Sequence, residues 1–302
     1  MKWLLVQLAT VVGLAIAPAH AQDAPPPEQQ VVVTGERERN RAEPVRSYIE
    51  AVTIETEDQI ARFEAPICPA SFGLPPGQNE VVAGRVRLVA EHLGVRTADR
   101  DCRPNVVIIV ADDGERFLQA LRRERPALFA HLPLADIRAM LRLEGPARAW
   151  HQVEARGADG RPMERINWLE TGGGEPPRYI VRGHRLPGIV PSLIGRPTRQ
   201  DLSLAFIVFD LDALGGLTLL QIADHAAIRA LARTRPAALP ARRSILALFA
   251  DRGRGVTPAE ELTGWDVAYL QALYRSGNTI AANQQRGTMS RLMRAELEAS
   301  DR

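Results

Sequence analysis

Apolar positions along the chain recur with two different periods, and the switches between them predict the elements. Val82, Val86, Val89 and Leu93 stand at helical spacing and Gly94 follows them, which predicts a helix over 78–93 that stops there. The run NVVIIV at 105–110 predicts a buried strand. The turn Asp112-Asp113-Gly114 carries helix-capping chemistry, and the helix after it, with Phe117, Leu118 and Leu121, must end near Pro126. A short helix is predicted over 134–143. Strands at 149–156 and 163–168 flank Gly157-Ala158-Asp159-Gly160, which reads as a hairpin turn. A short strand at 179–181 follows the glycine triplet at 172–174. The stretch 202–209 is apolar on both alternating faces and is expected to be the central strand. Helices are predicted over 218–232, 243–249, 262–274 and 284–297, while 48–56 fits strand or helix equally well.

Alternating helices and strands, then strands, then helices make this an α+β chain, not a doubly wound sheet. The expected fold is a mixed or antiparallel sheet with helices and a C-terminal helical cluster. A length of 302 residues permits two domains, and the Pro- and Gly-rich stretch 172–197 is the candidate internal boundary. A single domain over 45–300 is preferred, because the strands on either side of that stretch both need partners.

The start of the chain is different in kind. Residues 1–21 read as a secretory signal peptide: Lys2 is the positive end, 4–17 is largely apolar, and Ala19-His20-Ala21 supplies the cleavage pattern. The apolar run falls short of the roughly 20 residues a membrane span needs. Residues 22–44, with a proline triplet and then mostly charged positions, read as a disordered linker. Cleavage would remove the chain's single lysine. Of 38 basic residues, 37 would remain, all arginine, against 36 acids. Lysine Schiff-base chemistry and a phosphate-binding lysine are then excluded, and so is the charge excess that nucleic acid requires. Cys68 and Cys102 are the only cysteines, and in an exported chain they are expected to pair.

Candidate chemistry is sparse. The histidines after the signal are His92, His131, His151, His184 and His225, and none has a second histidine three to five residues away. With no HExxH and no CxxC, no local metal motif exists, and no cofactor is expected. Asp112 and Asp113 read either as ligand-binding carboxylates or as helix caps. Asp210 and Asp212 read either as a pair sharing a cation or, again, as caps. The helix over 218–232 is more informative. At about 100° per residue, Gln221, Asp224, His225 and Arg229 form one stripe opposite Ile222, Ala223, Ala226 and Ala230. If that stripe lines a cleft, His225 is the acid–base candidate, with Asp224 or Asp210 as its carboxylate and Gln221, Arg229, Asp112 and Asp113 as binding groups. Leu217 and Ile228 interrupt the stripe, as they would in a helix packed on both sides, and a structural network is the competing reading. Trp265, Tyr269 and Leu273 read as core or as an aromatic shelf, and Thr263 with Asp266 as a capping box.

The segments QIADHAAIRALA, LTGWDVAYLQALY, AANQQRGTMSRLM and ARFEAPICPASFGLP, with the second cysteine, resemble a family of exported proteins from Gram-negative bacteria. The resemblance implies export; it carries no catalytic residue over. The helical cluster after a sheet is also similar to zinc metallopeptidases. Where those have HExxH, this chain has Gln221, Ile222 and His225, without the first histidine or the glutamate. The run QVVVTGER at 30–37 resembles the N-terminal box of TonB-dependent receptors, which pairs with a periplasmic energy-transducing protein. The expectation is an exported periplasmic protein that binds or scaffolds a protein or small molecule at the envelope. The alternatives are a divergent zincin-like hydrolase around His225, and a TonB-type partner through 31–36.

Overall fold

The run at 105–110 is a strand because its β-branched residues are buried on both sides. In the computed structural model of the protein this is β2 (Val106–Ala111), with Val106, Ile108 and Val110 turned to one core and Val107 and Ile109 to another. The structure describes residues 34–129, 134–142, 145–169, 180–185, 195–235, 243–250 and 257–300, with side chains described for all of these except 34–42, 136, 139, 164–169 and 180–185.

β2 lies between β1 (Pro69–Phe72) and β6 (Thr198–Asp210), parallel to both, and β3 (Ala147–Gly157) runs antiparallel along the far edge of β6. The order β1-β2-β6-β3 makes a four-stranded mixed sheet in which 202–209 is internal, as its two apolar faces require. The β3–β6 ladder slips once, between Gln152 and Val153, where Ser203 is the extra residue on β6. Ala205, Ile207 and Phe209 enter the larger core, under α1 (Thr34–Val52), α2 (Pro76–His92), α5 (Leu219–Leu231), α6 (Gly264–Arg275) and α7 (Ala282–Ser300). Leu204, Phe206 and Val208 enter the smaller one, under α3 (Gly114–Glu124) and α4 (Leu134–Leu141), where Trp150 stacks on Phe206 at 4.3 Å. The α+β class holds, and the C-terminal helices pack together.

Local chemistry explains the ends of these elements. α2 opens on Pro76, whose fixed φ suits the first helical turn. It closes as the Gly94 signal predicts: Gly94 takes φ +73°, its N–H donates to Glu91 O, and Val95 N–H donates to Ala90 O. β1 has no apolar alternation that would announce a strand. It is held instead by its start, where Asn105 Oδ1 accepts Cys68 N–H at 2.7 Å and Cys68 O accepts the N–H groups of Asn105 and Val106. Cys68 and Cys102 are bonded, as expected, with their Cα atoms 6.0 Å apart. The bridge closes a loop containing β1 and α2.

Three expectations need correction. The stretch read as linker to 44 is helical from Thr34: α1 runs through the Glu- and Arg-rich positions 36–43 and across Pro44 into a turn docked by Val45, Tyr48, Ile49 and Val52. Of the run at 30–37 that resembles a TonB box, 30–33 lie outside the described residues and 34–37 belong to α1. The turn at 157–160 forms, with Gly160 at φ +85°, but among the described residues the bridge across it is Arg156–Pro162, which ends ahead of β4 (Glu164–Leu169). β3 spends its ladder on β6, and β4 pairs with β5 (Ile180–Arg185) in a separate sheet. The helix expected over 243–249 contracts to a 3-10 turn, Ile245–Ala247, because Asp266 Oδ2 accepts Ile245 N–H and Ser244 Oγ accepts Leu246 N–H. The signal segment 1–21 and most of the candidate boundary 172–197 lie outside the described residues.

Replacing both Cys68 and Cys102 with serine should cost about 3 kcal/mol, or about 5–10 °C in Tm, by freeing that loop in the unfolded chain. Thermal melts of the two proteins check this; equal Tm values would show that the bridge contributes nothing.

Candidate functional site

The four polar residues of α5, Gln221, Asp224, His225 and Arg229, are all buried. The helix starts on a capping box: Thr218 Oγ1 accepts Gln221 N–H, while Gln221 Oε1 accepts Thr218 N–H at 3.0 Å. Gln221 Nε2 donates to Ala259 O at 2.9 Å, so this side chain caps the helix and anchors the segment ahead of α6. One turn on, Asp224 is 0% exposed. Its carboxylate accepts Arg85 Nε at 2.6 Å, Arg85 Nη2 at 3.0 Å and Leu262 N–H at 2.8 Å. The hydrogen bond to Asp224 leads the effects that raise the Arg85 pKa. One carboxylate thus ties α2, α5 and the start of α6 together.

His225, 3% exposed, points into the larger core. Its ring stands edge-on to Phe249 at 5.1 Å and tilted against Phe209 at 5.7 Å. Its Nδ1 has no hydrogen-bond partner among the described residues. Burial, and then the Arg229 charge, push its pKa down to about 3, so the imidazole is neutral across the physiological range. Arg229 is buried as well, and Nη1 donates to Thr234 O at 2.6 Å; burial lowers its pKa to about 10, which leaves it a cation.

The sequence offers no signal for His151, which completes this interior group. It lies on β3 with Nε2 3.3 Å from Ala230 O. Burial, then Arg233 and Arg229, push its pKa to about 3. Nor does the sequence announce the other buried knot. Asp266, the expected capping partner of Thr263, also accepts Tyr48 O–H at 2.9 Å and Ser244 O–H at 2.5 Å, and burial raises its pKa. Tyr269 and Trp265 pack around Tyr48, so the aromatic residues of α6 are core.

Asp210 does not join His225. Successive side chains of a strand point to opposite faces. Phe209 meets His225 in the larger core, while Asp210 follows Val208 to the smaller one. There its Oδ1 accepts Gly114 N–H at 2.8 Å and Arg148 Nη1 at 2.7 Å. A Cβ on Gly114 would sit 2.5 Å from that oxygen and 2.7 Å from Arg148 Nη1, so a side chain at the start of α3 would have to displace this ion pair. Asp113 is the N-cap of the same helix, accepting Arg116 N–H at 2.9 Å. Two of the chain's own carboxylates therefore occupy this helix N-terminus. Asp112 is exposed beside them. Asp212 lies beyond the strand, in the 3-10 turn Leu211–Leu214, so the spacing that placed it on one face with Asp210 does not apply. Among the described residues, no three His, Cys, Asp or Glu side chains are grouped to hold a metal ion.

Comparison with protein-family models, with curated proteins and with solved structures finds no match.

Two outcomes follow from this interior. Asp224→Ala should destabilise the fold by about 3 kcal/mol, because it strands Arg85 and the Leu262 N–H, and Asp224→Asn should cost less; urea unfolding measures both. The second outcome concerns acid. Unfolded histidine titrates near pH 6.5, whereas His151 and His225 stay neutral in the fold down to about pH 3. Between those values the unfolded chain binds more protons. Stability therefore falls on acidification by about 1.4 kcal/mol per pH unit for each histidine, and above pH 6.5 the effect vanishes. Asp201 and Asp266, whose pKa values burial raises, offset part of the loss by taking up protons first in the fold. His225→Gln should halve the histidine contribution to the slope between about pH 6 and about pH 5; the same slope in both proteins would contradict the assignment.

Proposed function

We propose that this chain is an exported protein that binds or scaffolds a partner at the cell envelope of a Gram-negative bacterium. The carrying observation is how its candidate polar groups are used. Asp224, Gln221, Arg229 and Asp210 are all spent on holding helices, strands and loops in place. His225 stands in an aromatic enclosure as a neutral ring. A hydrolase built on His225 and Asp210 would need the two to face one substrate, and the sheet separates them. Export is supported by the signal-like residues 1–21, by the Cys68–Cys102 bond, and by the described helices, none of which is long and apolar enough to cross a membrane.

The test is fractionation of cells expressing the full chain, with intact-mass analysis of the product. The expected form lacks residues 1–21, is two hydrogens lighter than the dithiol and is released with the periplasm. On a panel of hydrolase substrates, wild type and His225→Ala should be indistinguishable. Cytoplasmic retention with free thiols, or turnover that His225→Ala abolishes, would overturn the proposal.

A further inference from the structure

α2 shows a second stripe. Its buried face carries Val82, Val86, Val89 and Ala90. On the opposite side stand Gly77, Val81, Gly84 and Leu88, spaced four, three and four residues apart. That is the spacing of a helix–helix seam. Val81 is 51% exposed and Leu88 60% exposed. Gly84 sits in the helix interior, where glycine costs stability relative to alanine. A Cβ at Gly77 or at Gly84 would meet nothing within 4 Å, so nothing inside the chain requires glycine at either position. Large side chains left in solvent beside notches that the fold does not use point to an outside surface that fills them.

We infer that a second copy of this chain docks there, with the two α2 helices antiparallel about a two-fold axis between Val81 and Gly84. With the axis midway between these two, Val81 meets the partner's Gly84 and Leu88 meets the partner's Gly77, so each large side chain enters a glycine notch. The charges agree with this register. Glu80 and the partner's Arg87 then lie about 3 Å apart along the axis, given a rise of 1.5 Å per residue, and the symmetric pair repeats the contact. Arg87 keeps Nη1 on Ala98 O at 2.5 Å, and the guanidinium has further donors for the second partner. Each large residue faces a small one, and Glu80 faces Arg87, because this part of the face is its own complement under the two-fold rotation. The seam is about three turns long, which makes the dimer weak and concentration-dependent.

Sedimentation velocity of the exported chain over a concentration series tests this. The expected result is a reversible monomer–dimer equilibrium. Leu88→Glu and Gly84→Leu should each leave a folded monomer, since both positions face solvent in the single chain. Glu80→Arg should weaken the dimer about tenfold, and adding Arg87→Glu should restore it. A chain that is monomeric at every concentration, or a dimer that Leu88→Glu and Gly84→Leu leave unchanged, would overturn the inference. A charge swap that brings no rescue would overturn the antiparallel register.

Discussion

Burial of β6 on both faces is the constraint from which the other arrangements follow. A strand alternates its side chains, so Leu204, Phe206 and Val208 need one cover and Ala205, Ile207 and Phe209 another. A slip by one residue would exchange the two sets, and the parallel pairing with β2 and the antiparallel pairing with β3 hold the register from both sides. The small side chains Ala223, Ala226, Ala227 and Ala230 are buried in the same core as the odd-numbered residues of β6 and let α5 lie close to the sheet. The same alternation sends Asp210 to the α3 side and leaves His225 against Phe209. Two residues that the sequence offers as one catalytic pair are thus parted by the central strand.

Polar groups inside such a structure are costly unless they find partners. Asp224 has Arg85 and the Leu262 N–H, and Asp266 has Tyr48, Ser244, Thr263 and the Ile245 N–H. Removing one partner leaves the other buried without water, and that penalty exceeds the net worth of the bond itself. These carboxylates join segments far apart in the chain. Asp224 links the disulfide loop to the C-terminal helices, and Asp266 links α1 to α6. Buried histidines solve the same problem differently, by staying uncharged.

The elements legible in the sequence are those whose cause is local. The helix over 78–93 was readable because its core face and its glycine stop lie within one segment, and the Thr263–Asp266 box because capping spans one turn. β1 was not readable, since its strand conformation comes from a neighbour and a distant cysteine. The helical start of α1 was hidden by charged residues that serve a helix or a linker equally well. The hairpin after β3 was misread because turn chemistry says where the chain reverses but not which strand wins the ladder. For the site, helical spacing groups Gln221, Asp224, His225 and Arg229, but what they do depends on Arg85, Ala259, Leu262 and Phe209, which no spacing within the helix reveals.

The central claim is that the α5 stripe is interior structure and not an open acid–base site. An NMR titration of the His225 imidazole, assigned by its loss in His225→Gln, tests it most directly. A neutral ring showing no inflection from about pH 8 down to about pH 5 is the result expected of a pKa held at about 3. A midpoint near pH 6.5 would place His225 in contact with water and contradict the account.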